Sequence, residues 1–559
     1  MELYNTYEYF GCHKLKDNQY IFRVYAPKAK KVQLYLNNKL YRMNKDKDDV
    51  WIVKISKNIE GQKYQYQITT DNNEMLLKAD PYSFYTHDKF SIVYDINKLS
   101  LNNKKIKFIN QSYHSPLNIY EMFIAGWNKE YQNYKDLAKP LVNYLKDYSY
   151  NAVQFMPIME YPMDKTWGYQ TTGYFAPTSR YGNPEDLIYL IDYLHENDIA
   201  VILDWTPAHF DPADFGLINF DGGELYEHPD KRYQTHPIWK TKIFNWENPY
   251  VAMFLISSAN FWLEKYGFDG LRVDTITSMV QLFQLNEENH TAYDVEYNKQ
   301  GIDFLKLMNF TLKKRHPDSI FIAEETQGFS GVTDPRGYNF SYKQGLGWSW
   351  DTGSFIHTGN FNGLIKPLEY QYLNHSVLTY GHDQIAKTNG FLAEQFHEDY
   401  NAMRVFYAYM LAFPGKKCLF MGGEYGQTGH WDYQKPLTFI TNEEQQNYSD
   451  FVKYFNRFYM NHSALYARDY IPTSTVVIEN NSDNKILAFI RRSAEETLLC
   501  LFNFGNQDFN DYKIKNDKYY YHIEEICSTR YGFYSNPHIA DVNFHFNIPA
   551  QTGIYYKIR

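Results

Sequence analysis

GFDGLRVDTITSM, residues 267–279, is the segment whose reading decides the fold. Its centre, Gly270-Leu271-Arg272-Val273-Asp274, is a short apolar run that ends on an acid. The form recurs in Ile202-Leu203-Asp204-Trp205, in Ile322-Ala323-Glu324-Glu325 and in the run that closes on Gly381-His382-Asp383. Continuous apolar runs of this length read as parallel strands covered on both faces. Working outward, the chain offers eight of them, at 118–124, 151–158, 200–207, 270–276, 319–325, 346–350, 377–383 and 416–424. Helical segments fall between them, near 135–147, 250–266, 301–315 and 400–412. Another starts at Asn183-Pro184-Glu185-Asp186, a capping Asn followed by Pro at the first helical position and early acids. Eight strand–helix units predict an α/β fold, a (β/α)8 TIM barrel over residues 111–465, with its longest insertion at about 208–248.

The flanks read differently. Residues 1–110 carry short alternating runs at 20–25, 32–36, 51–55 and 64–68, separated by turn residues. That spacing predicts an N-terminal β-sandwich. A polar, Lys- and Asn-rich stretch at 97–115 reads as a linker. From 466 to 559 short strands return without helices, as at 485–491 and 497–503, and predict a C-terminal β-sandwich.

Composition narrows the function. The 559 residues carry a net charge of −9 and no basic block, so nucleic acid is not an expected partner. No run approaches the roughly 18 apolar residues of a membrane span. The opening MELYNTYEYF lacks a basic region followed by an apolar run, so no signal peptide is expected. Cys12, Cys418, Cys500 and Cys527 are far apart, which argues against a disulfide framework or a zinc site and for a cytoplasmic, reducing setting. Aromatic residues reach 18 %, with 54 Tyr, but the chain's richness in Asn and Lys shows that codon bias accounts for them as readily as sugar stacking.

Reactive groups of such a barrel gather at the C-terminal ends of its strands. Asp204, Asp274, Glu324 and Asp383, with His209, His382 and Arg272, all fall there. Converging carboxylates repel and are costly without a use. Arg272 and Asp274 are two apart on a strand and point to one side, where Arg272 can hold Asp274 ionised. Glu324 and Glu325 are adjacent and must diverge, so one of them reaches the site. Paired carboxylates acting on an uncharged polymer point to glycosidic-bond chemistry. Metal hydrolysis is the competing use, but H-E-x-x-H and similar spacings do not occur, and neither metal nor cofactor is expected.

Several segments together resemble the α-amylase superfamily, glycoside hydrolase family 13, and within it the bacterial 1,4-α-glucan branching enzymes. They are NAVQFMPIMEYPMDKTWGYQTTGYFAPTSRYGNPEDL (151–187), VILDWTPAHF (201–210), FDGGELYEH (220–228), GFDGLRVDTITSM (267–279), IAEETQGFSGVT (322–333) and PGKKCLFMGGEYGQ (414–427). VYAPKAKKVQLYL and LLKADPYSF, in the first 110 residues, resemble carbohydrate-binding module family 48. The resemblance implies Asp274 as nucleophile, Glu324 as acid/base and Asp383 as the third carboxylate. It implies that Asp204, His209, Arg272, His382 and Tyr169 line the sugar pocket, Tyr169 by stacking. The substrate implied is an α-glucan polymer, cleaved at an α-1,4 bond with the fragment re-joined as an α-1,6 branch.

Two segments depart from the pattern. Branching enzymes read H-D-E-V-V-H-G-K where this chain has His382-Asp383-Gln384-Ile385-Ala386-Lys387, closer here to maltooligosyltrehalose trehalohydrolases. The N-terminal module shows LYLNNKLYRM in place of an N-G-W surface motif. The alternatives are therefore an α-glucan hydrolase of the same superfamily, trehalohydrolase-like or amylase-like, and a non-catalytic glucan-binding protein.

Overall fold

The structure is a computed structural model that describes residues 2–559 apart from 17, 103, 105, 107, 287–290, 327, 388–389, 516–519, 521 and 531–541. Eight parallel strands close into a barrel: Asn118–Met122, Ala152–Phe155, Ala200–Trp205, Gly270–Val273, Ile320–Ala323, Tyr342–Gln344, Ser376–Tyr380 and Lys416–Phe420. The first and last pair directly, Ile119 opposite Cys418. Seven of the eight expected strands are found, and one is corrected. Residues 346–350 lie in a helix, Leu346–Thr358, and the sixth strand is the preceding Tyr342–Gln344. That strand is three residues long and two are polar, so it lacks the apolar signature. Its polarity has a use, because Gln344 and Lys343 answer charged partners inside and outside the barrel.

Strand alternation divides each barrel strand into two faces. Outward residues such as Val201, Leu203, Leu271, Val273 and Phe321 join the large core beneath the helices. Inward residues form layers. The lower layer is apolar, with Ile119, Ile202, Ile320 and Val377. Continuing the same inward parity one step up each strand gives Glu121, Gln154, Asp204, Arg272 and Gln344, all buried. The interior thus changes from oil to charge within one layer, at the end where the expected site lies. The 97–115 stretch does not hang free: Ile106 and Ile109 pack into the apolar layer from below.

The helices start where the sequence caps them. Asn183 and Asp186 form a reciprocal capping box for Pro184–Glu196, and Asn248 caps Pro249–Lys265. Tyr134–Asp147, Lys299–Arg315 and Tyr400–Ala412 match expected segments; Glu443–Asn461 was not expected. The last lies at the junction with the C-terminal strands, where it packs against Tyr400–Ala412.

N-terminal strands form two sheets. One holds Gly11–Lys14, Gln19–Tyr25, Val50–Ser56 and Asn44–Lys45; the other is built on Lys31–Leu36 and Lys63–Thr69. Alternate residues Tyr20, Phe22, Val24 and Val32, Leu34, Leu36 are buried, as facing sheets require. The C-terminal part pairs Thr475–Asn481, Ile486–Arg492, Thr497–Asn503, Thr552–Ile558 and Ile523–Ser528 in one sheet, with Phe509–Lys513 and His545–Ile548 in a second. Ile486, Ala488, Ile490, Leu499 and Leu501 face that second sheet, while Leu487, Phe489, Cys500 and Phe502 face the barrel's core. The α/β barrel flanked by two β-sandwiches is thus the observed fold.

Candidate active site

Arg272 is the centre of the site. It is fully buried, and its Nη1 donates to both Asp204 oxygens at 2.8 and 2.9 Å and to Asp274 Oδ1 at 2.7 Å. Nε donates to Gln344 Oε1 at 3.2 Å. Nη2 lies 3.1 Å from Glu324 Oε2, close enough for an ion pair but off the alignment of a hydrogen bond. One guanidinium therefore ties the third, fourth, fifth and sixth barrel strands together at their C-terminal ends.

Thr275 completes the grip. Its hydroxyl donates to Asp274 Oδ2 and its backbone N–H donates to Glu324 Oε2 at 2.7 Å. It does so from a left-handed conformation, φ 50°, which is rare for a β-branched residue and costs energy. The strain sits between the two carboxylates, where it aims both donors.

A second chain of bonds enters from the first barrel strand. Glu121 accepts from the His382 backbone and side-chain nitrogens, both at 2.9 Å. The other ring nitrogen of His382 lies 3.0 Å from the Tyr169 hydroxyl, which donates to Asp204 at 2.7 Å. Burial pushes the His382 imidazole down, but Glu121 and Asp383 outweigh it and hold it up at about 9. His382 is then an imidazolium that donates to both Glu121 and Tyr169. Tyr169 reaches this position through Gly168, at φ 93°, where a Cβ would stand 2.3 Å from the Pro157 carbonyl oxygen.

The carboxylates are not equivalent. Burial raises Asp274, against the pull of Arg272. Burial raises Glu324 much further, to about 8, with the Asp274 and Asp383 charges adding to it. Both carboxyls lie against Arg272 and Thr275, and of the two it is Glu324 that burial and neighbouring charge favour in the protonated form. The expectation that Arg272 would hold Asp274 ionised needs one refinement: Arg272 opposes a larger desolvation rather than acting on an ordinary carboxylate. Asp204 rises to about 6, for burial, despite Arg272 and Tyr169.

These groups border a cavity of about 570 Å³. Tyr169, His209, Asp274, Glu324, His382 and Asp383 line it, while Asp204 and Arg272 lie one layer below its wall and hold the groups that do. His209 is buried, its Nδ1 has no partner, and burial lowers it to about 4, so it meets the cavity as a neutral ring. Its wall is Trp239, whose ring lies 5.2 Å from His209 and stacks on His236 at 3.7 Å. Glu325 turns the other way, to Lys343 Nζ at 2.5 Å. Gln384 accepts from the Gly381 N–H at 2.8 Å, a bond the carboxylate of the branching-enzyme pattern could equally accept. Sequence reasoning missed Glu121, Gln154, Gln344, Thr275 and Trp239. Glu121 and Gln154 share a signal, a polar residue at inward parity in a largely apolar strand, whereas Gln344 lies in a polar strand and has none. Among the described residues no cluster of three His, Cys, Asp or Glu could hold a metal ion.

Residues 9–83 match the model of carbohydrate-binding module 48 (isoamylase N-terminal domain). Residues 137–215 and 217–345 match the alpha amylase catalytic domain, and 477–559 the alpha amylase C-terminal all-beta domain. The 1,4-alpha-glucan branching enzyme GlgB of Geobacillus stearothermophilus is 34 % identical over 550 residues, which span 92 % of this chain and 85 % of that protein. The chain belongs to the 1,4-alpha-glucan branching enzyme family. The family's member from Aquifex aeolicus is 34 % identical, over 91 % of this chain and 87 % of its own. In fold, the chain is similar to a pullulanase from Anoxybacillus sp. LM18-11 complexed with maltotetraose, with a TM-score of 0.79, 16 % identity and coverage of 98 % and 87 % of the two chains. A putative alpha amylase from Salmonella typhimurium shares the fold at a TM-score of 0.73, 16 % identity and coverage of 99 % and 100 %.

Proposed function

We propose that this branching-enzyme family member cleaves α-1,4-glucan and re-forms the bond as an α-1,6 branch, with Asp274 as nucleophile, Glu324 as acid and base and Asp383 as the carboxylate that grips substrate hydroxyls. Asp274 attacks the anomeric carbon while Glu324 gives its proton to the leaving 4-oxygen. The reducing-side fragment departs and a glycosyl ester on Asp274 remains. Glu324, now a carboxylate, takes the proton of a 6-hydroxyl on another glucan chain as that oxygen attacks the same carbon and expels Asp274. Two inversions retain the α configuration. Asp204, His209, Arg272, His382 and Tyr169 hold the sugar and the charges around it.

The observation that carries this reading is the pair itself: Asp274 accepts from both Arg272 and Thr275, while Glu324 beside it is raised to about 8 by burial and by the neighbouring carboxylates. An acid and a nucleophile are thereby distinguished within one pair. Arg272 reaches both carboxyls and Thr275 donates to both, its hydroxyl to Asp274 and its backbone N–H to Glu324, which supports a nucleophile and an acid acting as one pair. Within the proposal, residues 1–110, 111–465 and 466–559 form three domains, with the catalytic barrel in the middle. A cytoplasmic setting belongs to it too, supported by four buried, unpaired cysteines.

Linear amylose tests the reading. Iodine absorbance falls while reducing ends stay nearly constant, and isoamylase then releases short chains. If reducing ends rise in step with the loss of colour and isoamylase releases nothing, the protein is a hydrolase.

A further inference from the structure

Beyond the catalytic cavity the groove continues. A second cavity of about 320 Å³ shares Glu324, Thr326 and Asp383 with the first. A third, of about 580 Å³, shares Thr326 and Trp350 with the second and continues to Phe329, Tyr370 and Leu373. Neither extension touches Asp274, Tyr169 or His209. The groove therefore leaves the site on the side of the acid/base, not of the nucleophile.

Trp350 stands at the junction. Its neighbour Trp348 is buried against Phe406 and Phe413, but Trp350 is 56 % exposed. It lies on the helix Leu346–Thr358, where residues three apart share a face. Gly347 and Gly353 are three before and three after it, and they line the third and second cavities. Glycine inside a helix costs stability. A Cβ on Gly353 would meet nothing within 4 Å, so packing does not require the glycine there. The result is an indole on a strip of helix kept bare on both sides. Beyond it, Tyr370 and Lys366 both donate to Asp351, at 2.7 and 2.9 Å, giving the groove a fixed polar edge.

We infer that this strip binds the acceptor glucan, with Trp350 as the platform for a sugar face. The inference rests on the branching reading above. In that reading the incoming 6-hydroxyl gives its proton to Glu324, so the acceptor must approach from Glu324's side. The groove that shares Glu324 and Asp383 is continuous with the site on that side, and its exposed aromatic face flanked by glycines suits a flat, uncharged ring. Holding the acceptor there raises its effective concentration against water at the glycosyl ester.

The test counts α-1,6 linkages by proton NMR and new reducing ends in one amylose incubation. In Trp350→Ala, reducing ends per new linkage rise about tenfold, the size of one lost ring contact. Trp350→Phe stays near the wild-type ratio. Gly353→Leu, which helix propensity favours and which fills the strip, behaves like Trp350→Ala. Melting temperatures near wild type show that the variants fold. An unchanged ratio in Trp350→Ala and Gly353→Leu overturns the inference, as does an equal fall in cleavage and transfer. A wild-type chain that makes no α-1,6 linkage sinks the branching reading itself, and this inference with it.

Discussion

Burial lifts the Glu324 carboxyl to about 8, while the adjacent Glu325 is held by Lys343 at 2.5 Å. The two positions should answer mutation in opposite ways. As the proposed acid, Glu324 must be protonated to act, so the rate is expected to fall as pH rises through about 8. Glu324→Gln removes that alkaline limb together with activity. The same change relieves a cost: between its ordinary value of 4.5 and its folded value of about 8, folded Glu324 keeps a proton that the unfolded chain has released. Stability therefore falls with rising pH across that window, and Glu324→Gln should melt higher than wild type, with the gap widening from pH 5 to pH 8. Glu325→Gln should keep activity within about tenfold but lose roughly 3 kcal/mol, because it strips Lys343 of its buried partner. Paired pH–rate profiles and melting curves check both. Asp274→Asn should lower turnover by on the order of 10⁴-fold with the fold intact. Near-normal turnover in a folded Asp274→Asn would remove it from the mechanism.

Among the elements, the excursion after the third barrel strand supplies one wall of the cavity. His209–Phe210 pairs with Lys242–Ile243, which returns the chain after some thirty residues and presents His209 and Trp239 together. Trp239 is 41 % exposed and rests flat on His236, whose Nδ1 accepts from the Trp239 backbone at 3.2 Å. It forms wall, not machinery: its ring has no bond to Asp274 or Glu324. Trp239→Ala should raise KM for amylose about tenfold and change kcat less than threefold. Steady-state kinetics decide this, and an equal loss in kcat would make Trp239 part of the transition-state grip. The sixth strand and its helix show the converse dependence. Tyr342–Gln344 is polar because Gln344 serves Arg272 and Lys343 serves Glu325, so its sequence describes its neighbours rather than its own backbone.

Across the whole molecule, the far end of the barrel is locked to the C-terminal sheet by charge. Asp469 accepts from Arg491 Nη2 at 2.7 Å and stands 3.2 Å from Lys416 Nζ, on the eighth barrel strand. Burial raises this carboxyl, but the two cations outweigh it and hold it below its ordinary value. Its contribution is present above that ordinary value and is lost as pH falls through the folded one. Asp469→Asn leaves two buried cations without their counter-charge and should cost about 3–5 kcal/mol. A lowered melting temperature at neutral pH, with the difference shrinking towards pH 3, is the expected result; equal melting at pH 7 would show that the lock is not energetic.

The sequence by itself determined the barrel and its site-bearing strand ends. Apolar runs buried on both faces, helix caps and recurring terminal acids are local signals, and Asp204, Asp274, Glu324 and Asp383 could be read from position alone. It also determined that Glu325 diverges from Glu324, since alternation is a property of the strand. Tertiary structure alone decided the rest. Glu324 holds its proton because the fold removes water from it, and desolvation is set by everything that surrounds a group rather than by its neighbours in the chain. Glu121, Gln344 and Thr275 matter through partners up to 261 residues away, as between Glu121 and His382. The residues at 346–350 read as a strand because a short apolar run carries no period of its own; the strand is Tyr342–Gln344, whose two polar residues answer Arg272 on one side and Glu325 on the other.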